Sequence, residues 1–296
     1  MESTGKVSIK VVRETAIIRW RKKQVIYKNI VIEHDGNAAK LTTYIMDASV
    51  EMCDNKRPMI LICPGGGYAS VSDREAEPIA IQLNAMGYHA AVLRYSIAPV
   101  RYPAALLQVG ESIKYLRKHA DEYGILSDKI AVMGFSAGGH LAANFCTFWN
   151  RKWLAERLET KSDILKPNGM ILCYPVITSG EYAHHDSFKN LLGEKYEEMK
   201  RILSLENAVS EDTPECFIWH TKEDETVPVE NTLLFIEKMK EKGIAIESHI
   251  FDKGGHGLAL ASKRTMAPDG WALEPSVQCW VDFLEKWLDQ WKKKAL

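Results

Sequence analysis

The sequence predicts an α/β fold: a mostly parallel sheet with helices on both faces and an antiparallel N-terminal edge. Three observations predict it. Pro58–Cys63, Ile130–Met133 and Met170–Pro175 are apolar without alternation, the pattern of strands buried on both faces. Helical stripes and glycine stops separate such runs, so strand and helix alternate after residue 58. Residues 7–50 instead carry alternating and β-branched stretches, which suit antiparallel strands at a sheet edge.

The edge strands are expected at Val7–Val12, Gln24–Tyr27 and Ala39–Ile45, with Asp35-Gly36-Asn37 turning between the last two. Residues 51–57 are a charged connection to the central strand Pro58–Cys63. The three glycines of Pro64-Gly65-Gly66-Gly67-Tyr68 let the backbone curl and present N–H groups inward. Ser72-Asp73-Arg74-Glu75 has capping-box form, Pro78 suits a first helical turn, and Gly87 stops that helix after Met86. A strand follows at His89–Tyr95. Pro103 opens a helix whose stripe is Leu106, Val109, Ile113 and Leu116, ended by Gly124. After Ile130–Met133 another helix runs to Trp149, and residues 150–168 are charged and mixed.

Past the strand Met170–Pro175, residues 179–213 are polar and break the alternation, with helices expected near Asp186–Leu192 and Tyr196–Leu203. They fall at the C-terminal ends of strands and predict a short lid-like insertion. A strand at Glu215–His220, a helix at Asn231–Lys242 closed by Gly243, a last strand at Ile244–Phe251 and a final helix at Pro275–Trp291 complete the chain. No repeat, low-complexity segment or linker divides it, so residues 1–296 are expected to form one domain with the insertion.

Composition narrows the functional classes. A formal net charge of −1, with 46% hydrophobic and 26% charged residues, is ordinary for a soluble globular chain and predicts neither nucleic acid nor a membrane as partner. No apolar stretch follows Met1–Lys6 and no run reaches the length of a membrane span, so the expected location is cytoplasmic. The six cysteines (Cys53, Cys63, Cys146, Cys173, Cys216, Cys279) form no C-x-x-C. Cys63, Cys146, Cys173 and Cys279 fall in apolar patterns and read as reduced core residues, Cys63 included despite its place beside the glycines.

The chemistry centres on Gly134-Phe135-Ser136-Ala137-Gly138, a G-x-S-x-G pattern in strand-turn-helix context. Such a sharp turn raises the serine hydroxyl above the sheet, and the following helix points its N-terminus at it. A nucleophilic serine needs a base, and the base needs an orienting carboxylate. In a parallel sheet both belong at C-terminal strand ends. Thr221–Pro228 and Lys253–Leu258 are the loops there, so Ser136, a carboxylate and His256 follow in that order. Asp224 is flanked by Glu223 and Glu225; the D-x-x-V-P spacing favours Asp224.

From residue 55 to about 290 the sequence resembles the serine esterases of the α/β-hydrolase superfamily, in the acetyl-xylan-esterase-like and carbohydrate-esterase-like branch. The resemblance is carried by P-G-G-G-Y at 64–68, R-Y-S at 94–96, Y-P-A at 102–104 and G-F-S-A-G-G-H at 134–140. It continues with Y-P-V at 174–176, H-T-K-E-D-E-T-V-P at 220–228 and G-G-H-G-L at 254–258. It implies Ser136 as nucleophile, His256 as general base and then acid, and Asp224 as orienting acid. It also implies an oxyanion hole from the N–H groups of Gly66, Gly67 and Ala137. The expected activity is hydrolysis of short acyl esters, acetyl first, on sugars or xylo-oligosaccharides, with no cofactor and a small-molecule or oligosaccharide ester as partner. Homo-oligomerisation is left open.

Two positions depart from the pattern. Pro64 replaces a histidine common in relatives, which leaves the backbone donors in place, and Gln108 replaces a frequent aspartate, read as a lost structural hydrogen bond. The rival readings are a peptidase of the prolyl-oligopeptidase type, for which the residues before the first parallel strand are too few to build a propeller, and a non-catalytic binding protein of the same fold. His184-His185-Asp186 reads as a solvated helix start rather than a metal site. No G-K-S or G-K-T follows the glycines, so they are not a phosphate loop. His140 is expected to be packed, and Trp280, Trp287 and Trp291 to be core and rim of the final helix.

Overall fold

A computed structural model describes residues 25–49, 51–52 and 55–293, with side chains to 290. The strand expected at 7–12, Cys53 and the Trp291 side chain lie outside the described residues. The elements run β1 (Ile26–His34), β2 (Asn37–Ile45), β3 (Arg57–Cys63), α1 (Glu77–Ala85), β4 (His89–Arg94), α2 (Ala104–Lys118), α3 (Ala120–Tyr123), β5 (Ile125–Phe135), α4 (Ala137–Phe148), α5 (Lys152–Arg157) and α6 (Ser162–Leu165). They continue as β6 (Gly169–Cys173), α7 (His185–Leu192), α8 (Tyr196–Met199), β7 (Cys216–Thr221), α9 (Glu230–Glu241), β8 (Ile246–Phe251) and α10 (Trp280–Lys293).

The strands form one sheet in the order β1-β2-β4-β3-β5-β6-β7-β8. β1 pairs with β2, and β2 with β4, antiparallel; every other pairing is parallel. This is the α/β-hydrolase fold. The β1–β2 hairpin closes through Asp35 and Gly36, both at positive φ, the backbone of a two-residue turn that follows strand twist. The sheet separates two apolar layers. Leu61, Val132, Leu172 and Ile218 face α2, α4 and α9. Ile60, Met133, Ile171 and Phe217 face α1 and α10. Successive residues of one strand thus enter opposite layers, as the unbroken apolar runs require. The stripe of α2 is buried as expected, with Leu106, Val109, Ile113 and Leu116 at 1% exposure or less.

Several expectations are corrected. β1 extends to His34 rather than ending at Tyr27, and β5 begins at Ile125 rather than Ile130. Residues 150–168 form the short helices α5 and α6. The helix expected over Tyr196–Leu203 shrinks to α8, and the buried Leu203 beyond it turns its carbonyl toward His140 Nε2 at 2.9 Å. α10 begins at Trp280 rather than Pro275; before it the chain is held by a long-range bond from Glu274 N–H to Ala261 O and a single turn bond from Val277 N–H to Glu274 O. Ser72 makes no capping bond, since Glu75 is buried elsewhere. Gln108 has not lost its bonding: its Oε1 accepts from Ser96 N–H at 2.8 Å and its Nε2 donates to Ser96 Oγ at 2.7 Å. It ties the chain after β4 to α2, the amide both accepting and donating.

Cys63, Cys146, Cys173 and Cys216 are buried, and burial pushes these thiols up. Cys279 is only partly buried, just outside α10. Trp280 and Trp287 are buried, as expected. Among the described residues no helix is long and apolar enough to cross a membrane.

Candidate active site

Ser136 stands between β5 and α4 at φ 53°, ψ −120°, a backbone conformation an L-residue adopts only under strain. The turn is held from both sides: Ser136 N–H donates to Cys173 O at 3.0 Å, and Ser136 O accepts from His140 and Val176. The flanking glycines are demanded by contact. A Cβ on Gly134 would lie 2.1 Å from Gly138 O, and one on Gly138 would lie 2.1 Å from Cys63 O. The G-x-S-x-G spacing is therefore the footprint of a helix crossing hard against its strand.

β8 and β7 supply the partners. His256 Nε2 lies 2.7 Å from Ser136 Oγ, and His256 Nδ1 lies 2.6 Å from Asp224 Oδ2. Asp224 Oδ1 accepts from Thr226 N–H at 3.0 Å and Val227 N–H at 2.9 Å, which locks the carboxylate in its own turn. With Nδ1–H donated to Asp224, the Nε2 lone pair faces the serine hydroxyl. Burial works to raise the Asp224 carboxyl, but hydrogen bonds from His220 and His256 outweigh it and hold it well below the usual carboxylate range. The flanking glutamate is elsewhere: Glu223 pairs with Lys253 Nζ at 2.7 Å and accepts from Gly254 N–H.

The glycine loop after β3 runs directly along Ser136. A Cβ on Gly65 would lie 2.9 Å from Ser136 Cβ and 2.8 Å from Phe135 O. Gly66 and Gly67 take φ 131° and 63°, open to glycine and costly to others. Among the described residues no backbone carbonyl accepts from either N–H. Ala137 is the first residue of α4, where an N–H has no partner inside its helix. Behind the loop, Pro64 O accepts from Tyr95 Oη at 2.7 Å.

Residues 179–213 reach this loop through α7. Asn190 Nδ2 donates to Gly67 O at 2.9 Å, and Tyr102 N–H donates to Leu191 O. His184-His185-Asp186 stand at the start of α7 and turn to separate partners: His184 Nδ1 meets Ser187 Oγ at 2.7 Å, His185 Nδ1 meets Tyr196 Oη at 2.9 Å, and Asp186 lies 3.8 Å from Lys189. Burial and then the charge of nearby His256 lower the His184 imidazole. His140 is buried between Tyr68 Oη and Leu203 O, both 2.9 Å away.

Three residues that the sequence pattern did not single out belong to the site. His220 Nε2 also approaches Asp224 Oδ2, at 3.1 Å. Glu75 is buried beside Gly65. Trp271 is half-exposed; its Nε1–H donates to His256 O at 3.2 Å, and a Cβ on Gly255 would strike its ring at 2.4 Å. The second glycine of G-G-H marks the Trp271 contact, but nothing adjacent in sequence names the indole.

Residues 49–239 match the family described as BD-FAE. The chain is 36% identical over 225 residues to endo-1,4-beta-xylanase B of Butyrivibrio fibrisolvens, covering 74% of this chain and 35% of that protein. It is 31% identical over 206 residues to an acetylxylan esterase of Xylanibacter ruminicola, covering 67% and 40%. The chain thus spans well under half the length of these two curated relatives. Among solved structures, the acetyl ester-xyloside bifunctional hydrolase from Caldicellulosiruptor lactoaceticus superposes with a TM-score of 0.75 at 39% identity, covering 86% of this chain and 88% of that one.

Proposed function

Because the chain belongs to the BD-FAE family, we propose that it is a serine carboxylic ester hydrolase releasing short acyl groups, acetyl first, from sugars or xylo-oligosaccharides. The observation that carries the reading is the unbroken line from Ser136 Oγ through His256 to Asp224, with contacts of 2.7 and 2.6 Å at the head of α4. It is the arrangement a serine needs to lose its proton as it attacks.

The residues act in sequence. Ser136 Oγ attacks the ester carbonyl while its proton passes to His256 Nε2. Asp224 holds the imidazole and balances the imidazolium. The N–H groups of Gly66, Gly67 and Ala137 receive the oxyanion, each donor worth about 3 kcal/mol in the transition state. The tetrahedral species collapses, His256 returns the proton to the departing alcohol, and an acyl-serine remains. Water, deprotonated by His256, then releases the acid and restores Ser136.

The carbohydrate part of the reading is supported by the named xylan-acting relatives and by the half-exposed Trp271 beside His256. An indole face of this kind can stack on a sugar ring. The insertion at 179–213, docked on Gly67, would roof the acyl side of a single hydrolase domain.

The test is acetate release from acetylated xylo-oligosaccharides, beside nitrophenyl acetate, butyrate and octanoate, for wild type and Ser136→Ala. Release that vanishes in Ser136→Ala, with acetate preferred, is the expected result. Nitrophenyl cleavage without sugar deacetylation would remove the carbohydrate. Activity retained by Ser136→Ala would remove the mechanism.

A further inference from the structure

Glu75 sits at a junction that the acyl-transfer steps do not use. The residue is 3% exposed. Oε2 accepts from Gly65 N–H at 2.7 Å, and Oε1 accepts from Tyr174 Oη–H at 2.7 Å. Tyr174 Oη in turn accepts from Ala259 N–H at 2.9 Å, three residues past His256. The Tyr174 ring stands edge-on to the His256 imidazole, centroids 5.2 Å apart. Gly65 is held twice, since its carbonyl also accepts from Ser72 N–H at 2.9 Å. The neighbouring Arg74 reaches the same histidine loop, with Nε to Thr265 O at 2.6 Å and Nη2 to Gly257 O at 2.9 Å.

We propose that Glu75 is a positioning residue for catalysis, a buried carboxylate that fixes the glycine loop bearing the oxyanion donors against the loop bearing His256. The inference rests on the esterase reading above. Three facts argue for it over a merely structural carboxylate. A buried carboxylate with no counter-ion in contact among the described residues is costly, and this one is held in place by the Gly65 and Tyr174 donors. Its two donors connect it to both loops: Gly65 packs against Ser136, and Tyr174, at φ 39° just past β6, accepts from Ala259 N–H on the loop that carries His256. The carboxylate is a pure acceptor, so Gly65 N–H must point at it, and that sets the peptide plane from which Gly66 and Gly67 depart. Burial, and then the Glu75 charge beside it, push the Tyr174 hydroxyl up, which keeps it a donor to Oε1.

The prediction separates the steps of turnover. Donors displaced by a fraction of an ångström stabilise the developing oxyanion less while substrate binding is unchanged. Glu75→Gln keeps the shape but cannot accept from both donors. With nitrophenyl acetate, Glu75→Gln should lower kcat about 10- to 100-fold with KM within about threefold. The rate of covalent labelling by a fluorophosphonate should fall in proportion, because phosphonylation uses the same donors. Tyr174→Phe, which cuts the link to Ala259, should show the same pattern more weakly, and the double variant should be no worse than Glu75→Gln.

A folded Glu75→Gln protein with kcat within twofold of wild type, or a loss wholly in KM, overturns the proposal. If Glu75→Gln does not fold, Tyr174→Phe decides in the same way: lowered kcat at unchanged KM supports it, unchanged kcat overturns it. Wild type that neither cleaves nitrophenyl acetate nor takes the label would instead refute the esterase reading itself.

Discussion

His220 and His256 meet at one oxygen: Nε2 of the first and Nδ1 of the second lie 3.1 and 2.6 Å from Oδ2 of Asp224. His220 Nε2 also faces Val227 O at 2.9 Å, so both its neighbours are acceptors and this nitrogen bears the proton. Nδ1 then accepts from the Thr232 hydroxyl at 2.7 Å. The His220 imidazole is thus a fixed donor that helps keep Asp224 ionised in a buried place.

His220→Asn is therefore expected to lose about 1–3 kcal/mol of stability at neutral pH, read by urea unfolding. The pH dependence carries a sign. A carboxyl held down in the native state stabilises the fold above its unfolded pKa, and that contribution fades as pH falls through the folded value. Without the His220 donor the folded value rises, so the variant should lose stability at higher pH than wild type. Identical acid-unfolding curves would show that His220 does not hold Asp224.

The two neighbouring acids should separate cleanly. Asp224→Asn is expected to lower kcat about 10³- to 10⁴-fold, because the imidazole loses the acceptor that sets its tautomer. Glu223→Gln, whose exposed side chain serves Lys253 and Gly254, should change kcat less than twofold, as about ±0.5 kcal/mol is usual for surface changes. Steady-state kinetics on nitrophenyl acetate reads both. The reverse ranking would reassign the acid.

Strain at Ser136 makes a stability prediction. At φ 53° and ψ −120° glycine is at ease and alanine is not. Ser136→Gly should be more stable than Ser136→Ala by about 1 kcal/mol, strain relief exceeding the extra unfolded-chain entropy. Differential scanning calorimetry would place its Tm higher by about 2 °C. Equal or reversed Tm values would mean the elbow stores no strain.

Two histidines away from the reacting atoms should control stability in mild acid. Burial lowers His89 and His140 from 6.5 to about 4. The unfolded chain takes up protons near 6.5 while the native state stays neutral, so stability is full above that pH and falls toward pH 4. Between about pH 7 and 5 each histidine should account for about 2 kcal/mol of the loss. His89→Gln should shrink the drop by that amount in paired urea titrations. An unchanged drop would mean that His89 is not held neutral.

Much of the molecule is legible in the chain because its signals are local. An unbroken apolar run cannot face water, so the central strands announce themselves. Gly134 is required by a 2.1 Å contact with Gly138 O within the same strand-helix unit, and Gly138 by a 2.1 Å contact with Cys63 O at the end of the neighbouring strand. The order Ser136, Asp224, His256 follows from each residue sitting just past a strand of a parallel sheet, where loops converge.

Where the reading failed, a distant partner had displaced a local one. Ser72 and Glu75 carry a capping box at face value, yet Glu75 turns inward to Gly65 and to Tyr174, 99 residues on. The physical reason is desolvation: water can serve an exposed helix start, but the buried Gly65 N–H beside Ser136 is served by the carboxylate. Arg74 likewise reaches Thr265 across 191 residues. The sequence by itself determined the strand-helix alternation, the elbow and the order of the three candidate catalytic residues. Only the tertiary structure decided which polar groups are shut away from water, and hence which ones must answer each other.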